Sequence, residues 1–172
     1  MSAPRGDRSR SDASRRRVPD PPTEPLQTRD SYAWPAMNEE EARARFATAR
    51  VARLATIRPD GAPHLVPVVF VLEGDTVWLV VDEKPKRHRR LQRLVNIRAE
   101  PRVSLLVDSY DEDWSLLWWV RADGRARIVG EGPEFERALG LLLDRYPQER
   151  GQPPNGPALA VEVERWRCWP AG

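Results

Sequence analysis

VARLATIRPDGAPHLVPVVFVLEGDTVWLVV, residues 51–81, is the stretch from which the fold is read. It holds three runs rich in β-branched and aromatic side chains: VARLATI (51–57), PHLVPVVFVL (63–72) and TVWLVV (76–81). Between them lie RPDG and EGD, whose Pro, Asp and Gly supply turn conformations. A parallel crossover needs a dozen or more residues, far more than either connection offers, so the three runs form an antiparallel meander.

Reading outward, the upstream segment MNEEEARARFATAR predicts a short helix to about Ala49. Asn38 is its N-cap, Glu39 to Glu41 suit the positive end of the dipole, and Glu41 stands at the capping-box position. Downstream, Leu91, Leu94, Val95 and Arg98 fall at helical spacing, which predicts a helix from about Lys86 to Ala99. EPRVSLLVD returns to strand at 102–108, and a charged loop, SYDEDW, leads into SLLWWVRADGRARIVGE. There Asp123-Gly124 is either a type I′ hairpin turn or a bulge within one long strand. GPEFERALGLLLDRYPQ is an amphipathic helix beginning just after Pro133, ERGQPPNGP is a loop, and ALAVEVERWRCWP alternates as a last strand. No internal repeat is present. Six or so antiparallel strands with short helices between them define a mainly β architecture, a closed or half-closed barrel.

The 172 residues suit one domain with an appendage. The formal charge of +2 resides in residues 1–36, which hold seven Arg and five acids; from Met37 onward 21 basic and 21 acidic residues cancel. The body therefore lacks the positive field of a non-specific nucleic-acid binder. Residues 1–36 have almost no aliphatic side chains and are expected to be disordered, either a basic arm for nucleic acid or a partner, or a start-site artefact with Met37 as the true start. Residues 37–172 form the folded domain. Cys168 is the lone cysteine, and His64 and His88 are too few and too far apart for a zinc centre. No apolar run reaches the ~20 residues of a membrane span, and nothing resembles a secretory signal. A cytoplasmic protein with no membrane association is expected.

From Lys84 to Arg93 six Lys or Arg and one His stand without an acid. Like charges at i,i+3 and i,i+4 repel by a few tenths of a kcal/mol per pair, so something should compensate. The run lies where a strand ends and a helix begins, a place that already favours anions. It is either a clamp for a phosphate or polycarboxylate, formed by Lys84, Lys86 and Arg87, or a solvated helix face. There is no nucleophile elbow, Cys–base pair, G-x-G-x-x-G or P-loop, so an enzyme of this sequence would rely on a cofactor. Trp118 and Trp119 must face opposite sides of their strand, one in the core and one outward toward a subunit or planar ligand. His64, at a strand start, either touches a ring carbonyl or phosphate or is a half-exposed strand residue. Cys168 reads as a small packed residue without redox work.

Taken together, ARVARLATIRPDGAPHLVPVVFVLEGDTVWLVVDEKPKR, LVNIRAEPRVSLLVD and DEDWSLLWWVRADGRARIVGE resemble the pyridoxamine 5′-phosphate oxidase-like split β-barrel superfamily, over about residues 40–169. Within it the sequence is most similar to the actinobacterial branch of coenzyme F420-dependent oxidoreductases. The resemblance implies a six- to seven-stranded antiparallel split barrel, forming a homodimer with two cofactor sites at the interface. It implies that His64, Leu65, Val66, Pro67 and Val68 line the ring, and that Lys84, Lys86 and Arg87, with Arg93 and Asn96, hold the phosphate. Arg89 and Arg90 would accompany the acidic tail of F420. The implied activity is hydride transfer between F420 and an unsaturated or quinone-like acceptor, with Arg121 or solvent as candidate proton source. The alternatives are an FMN-dependent oxidoreductase and a non-catalytic carrier of F420, flavin or a tetrapyrrole-like ligand. The additional substrate-phosphate residues of true pyridoxamine phosphate oxidases are not identifiable in the sequence.

Overall fold

The computed structural model describes residues 36–81 and 91–170. The N-terminal extension to residue 35, the cations Lys84, Lys86, Arg87, Arg89 and Arg90, and the first part of the helix expected from Lys86 lie outside the described residues.

The chain runs α1 (Glu39–Thr48), β1 (Ala52–Ile57), β2 (Pro63–Val68), β3 (Val71–Glu73), β4 (Thr76–Val80), α2 (Gln92–Ala99), β5 (Arg102–Ser109), β6 (Trp118–Val129), α3 (Pro133–Arg145) and β7 (Ala158–Trp169). The Asn38 side chain caps α1 by accepting the Glu41 N–H at 2.9 Å, as the sequence predicts. The strands form one antiparallel sheet in the order β2-β1-β5-β6-β7-β4-β3.

This order makes β2 and β3 the two outer edges, yet only Val69 and Phe70 separate them. Three virtual Cα bonds span at most about 11 Å. A flat sheet of seven strands at ~4.8 Å spacing would separate its edges by roughly 29 Å. The sheet must therefore curl until its edges approach each other. This is the mainly β, split-barrel architecture expected from the sequence. The expected single strand at 63–72 is divided because the chain must leave one edge to reach the other.

Inside the curl, Leu54, Val77, Leu79, Leu105, Val107, Val120, Leu159 and Val161 pack with Phe46 of α1 and with Phe70. On the other face of β4 and β7, Trp78, Val80, Ala158 and Ala160 meet Ala138, Leu142 and Tyr146 from α3 and its end. β4 is thus buried on both faces, which explains its unbroken apolar sequence. Where β2 forms the edge, Pro63 and Pro67 withhold two N–H donors from further pairing.

Asp123-Gly124 does not turn the chain. β6 is continuous, and its register with β7 slips there, Asp123 facing Arg165 and Gly124 facing Val163. A Cβ on Gly124 would collide with the Glu162 carbonyl oxygen, so the glycine permits the close approach at the bulge.

Candidate functional site: the seam between β2, β4 and α2

β2 lies beside β1 with His64 opposite Thr56 and Val68 opposite Ala52. Strand alternation divides the five predicted ring-lining residues between two faces. His64, Val66 and Val68 are half-buried, and the two valines pack on the core. Leu65 and Pro67 are exposed on the other face, Leu65 at 64%. Their side chains therefore do not converge on one spot.

What does converge is a cavity of about 170 Å³ lined by Pro67 and Val68 at the end of β2, Val69 just after it, Leu79, Val80 and Val81 at the end of β4, Leu159 of β7, and Arg93 of α2. The structure thus brings together Pro67, Val68 and Arg93 from the predicted set. Arg93 is half-buried and makes no hydrogen bond or ion pair with any described residue. Its burial lowers the pKa of the guanidinium from the ordinary value; an arginine nevertheless stays charged. An unpaired cation against an apolar wall is costly unless an anion or water compensates. The first turn of α2 adds to the same preference, since its N-cap, Leu91, offers no side-chain acceptor and the turn holds no acid.

Lys84, Lys86 and Arg87 lie outside the described residues. Val81 precedes the run and lines the cavity; its N–H donates to Pro157 O at 3.0 Å and its carbonyl accepts from Gly156 N at 2.9 Å. Arg93 closes the run on the same cavity.

Asn96 occupies a different place from the surface position that phosphate binding requires. It is fully buried, its Oδ1 accepts from Gln92 Nε2 at 2.7 Å, and its Nδ2 donates to Thr56 Oγ1 at 2.8 Å. The Thr56 hydroxyl, also buried, lies 3.3 Å from His64 Nδ1 and 3.4 Å from the His64 carbonyl oxygen. Neither Thr56 nor Gln92 is conspicuous in the sequence: a threonine in a strand and a glutamine in a helix are ordinary residues there. Only the β1–β2 register and the packing of α2 unite them with His64.

Trp118 packs against the core, whereas Trp119 lines an open groove of about 360 Å³ with Tyr110, Trp114, Leu117 and Trp169. This division follows the alternation expected of adjacent strand residues. Arg121 is held by Asp123, its Nη2 donating to Oδ2 at 2.9 Å, while Ser104 Oγ donates to Asp123 Oδ1 at 2.6 Å. Cys168 donates to the Met37 carbonyl at 3.4 Å, and burial, with a contribution from Glu41, raises the pKa of its thiol. No helix among the described residues is long and apolar enough to cross a membrane.

The curled seven-stranded antiparallel sheet has the split-barrel form. Residues 38–170 match the pyridoxamine 5′-phosphate oxidase family, and the chain belongs to that family. No curated protein matches it. Among solved structures, it is similar to a conserved hypothetical protein, Rv2991, from Mycobacterium tuberculosis: 28% identity, TM-score 0.65, covering 80% of this chain and 88% of that one. A heme binding protein from Mycobacterium smegmatis shares 26% identity at a TM-score of 0.62, over 77% of this chain and 53% of that chain. An FAD-binding protein from Mesorhizobium loti has the same fold at 18% identity and a TM-score of 0.63, covering 77% and 92%.

Proposed function

We propose that the chain is a cytoplasmic oxidoreductase that binds coenzyme F420 at the β2–β4–α2 seam and works as a homodimer. The observation that carries this reading is Arg93, a half-buried cation with no hydrogen-bond or ion-pair partner among the described residues, on an apolar-walled cavity where a run of six Lys or Arg ends. The residues suit a ligand with a planar apolar part and an anionic arm. Pro67, Val68, Leu79 and Val81 offer the apolar wall, while Arg93 offers charge-assisted hydrogen bonds to phosphate oxygens. Lys84, Lys86 and Arg87 would add to that charge, and Arg89 and Arg90 would meet the carboxylates of the F420 tail. The cavity of one chain is smaller than the 300–1,000 Å³ typical of ligand sites. A second copy meeting the exposed Leu65–Pro67 face would supply the missing wall and exclude water.

Bound there, the deazaflavin would supply a hydride to an unsaturated or quinone-like acceptor. The chain's own contribution is alignment: Val66 and Val68 fix the strand edge against the core, and Arg93 fixes the anionic arm. Arg121 is already paired with Asp123, which leaves solvent as the simpler proton source.

FMN in the same site is the alternative cofactor, favoured by family membership. A non-catalytic carrier role is the further alternative, favoured by the relative described as a heme binding protein. Spectra of the purified protein followed by mixing with reduced F420 separate the three. Re-oxidation of reduced F420 by added quinones, only when protein is present, supports the proposal. A bound flavin spectrum, or a Soret band with no turnover, would replace it with one of the alternatives.

A further inference from the structure

On the outward face of β6 and β7 an aromatic pair and a basic pair stand side by side. Val120 and Ala122 of β6, and Trp166 and Cys168 of β7, pack into the core. Strand alternation therefore turns Trp119, Arg121 and Asp123, and on β7 Trp169, Arg167 and Arg165, to the other face. The register sets Trp119 opposite Trp169, Arg121 opposite Arg167 and Asp123 opposite Arg165. Both tryptophans line the groove of about 360 Å³, together with Tyr110, Trp114 and Leu117. Its size falls within the roughly 300–1,000 Å³ of small-molecule sites, and Trp114 is 67% exposed.

Like charges directly opposite each other on a sheet repel. Arg121 is compensated, because its Nη2 donates to Asp123 Oδ2 at 2.9 Å. Arg165 and Arg167 make no hydrogen bond or ion pair with any described residue. The carboxylates of the loop that carries Trp114 are turned to its own backbone: Asp111 Oδ1 accepts the Asp113 N–H and Asp113 Oδ1 accepts the Ser115 N–H, each at 2.9 Å. The uncompensated charge thus begins one strand repeat, about 7 Å, from the tryptophan pair. We propose that this face is a binding site, separate from the β2–β4–α2 seam, for a small planar aromatic molecule that carries a phosphate or carboxylate. The ring lies in the groove against the indoles, and the anion takes charge-assisted hydrogen bonds from Arg167 and Arg165. Aromatic contact alone would admit any flat apolar molecule; the arginines restrict the site to anions. The proposal does not rest on the cofactor reading above.

The test is calorimetric titration of the full chain with two probes, adenosine 5′-monophosphate for the phosphate and indole-3-butyrate for the carboxylate. Adenosine and ribose 5-phosphate, each lacking one half of the first probe, serve as comparisons. At least one probe should bind saturably, and the half-molecules should bind at least tenfold more weakly than the nucleotide if that is the probe bound. Trp114 and Arg167 are both exposed, so replacing either leaves the fold intact. Trp114→Ala and Arg167→Ala should each weaken binding about tenfold, and Arg167→Lys should recover part of the loss. Binding of neither probe overturns the proposal, and so does an affinity that Arg167→Ala leaves unchanged. Affinity lost in Arg93→Ala but kept in Arg167→Ala would place the probe in the seam and also overturn it. If neither probe binds and the light-scattering mass of the parent halves in Trp114→Ala, the groove belongs to a second copy of the chain instead.

Discussion

The Tyr146 hydroxyl lies 3.0 Å from the carbonyl oxygen of Phe70 and 3.3 Å from its amide nitrogen. Phe70 is one of the two residues by which the chain passes from the β2 edge of the sheet to the β3 edge, and its backbone has no ladder partner there. The same hydroxyl reaches the Arg50 carbonyl at 2.9 Å, just before β1. A phenol on the end of α3 thus serves the backbone groups that closing the sheet would otherwise leave unsatisfied.

Tyr146→Phe should therefore destabilise the protein by about 1–3 kcal/mol, the cost of unpaired buried backbone groups. Urea denaturation measures it. An unchanged midpoint would show that water or a shifted side chain satisfies Phe70.

Gly124→Ala should cost more than an ordinary strand substitution. The new methyl meets the Glu162 carbonyl of the neighbouring strand, backbone against backbone, with no flexible side chain to move aside. A loss of about 3 kcal/mol or more is expected. Thermal unfolding within a degree of the parent would mean that the bulge relaxes.

Glu100 should titrate unusually low. The Arg102 guanidinium and backbone N–H both donate to its carboxylate, at 2.8–3.1 Å, and hold its pKa at about 2 against an ordinary 4.5. Because the folded value is the lower one, the stabilisation is present above about pH 4.5 and is lost as the pH falls toward 2. Carboxyl-detected NMR should show the shift, and Arg102→Gln should return Glu100 to the ordinary range. A parent value near 4.5 would show that the pair is open in solution.

Much of this architecture is legible in the sequence because it depends on local chemistry: the Asn38 cap, the RPDG and EGD turns, and the alternation that separates Trp118 from Trp119. Three features are not. The break at Val69–Phe70 lies in a continuous apolar run without turn residues, and it exists only because the far edge of the sheet is near. Asp123-Gly124 suits a tight turn and a bulge equally; the choice rests on contact with Glu162, some 40 residues away. Asn96 reads as a polar residue on a cationic helix, and only packing against β1 buries it. For the site, the sequence places charge between Lys84 and Arg93 but cannot say which cation meets the apolar wall. Among the described residues, Arg93 is the one that does.

The most direct measurement of the central claim is fluorescence titration of the full chain with F420, with FMN as comparison. The account predicts saturable binding that Arg93→Ala weakens by about 1.5–3 kcal/mol, the worth of a charge-assisted bond. Joint replacement of Lys84, Lys86 and Arg87 by Ala should weaken it by more than ~3 kcal/mol. Affinity that is the same in the parent, the Arg93 variant and the triple variant would contradict it, returning the basic run to a solvated surface.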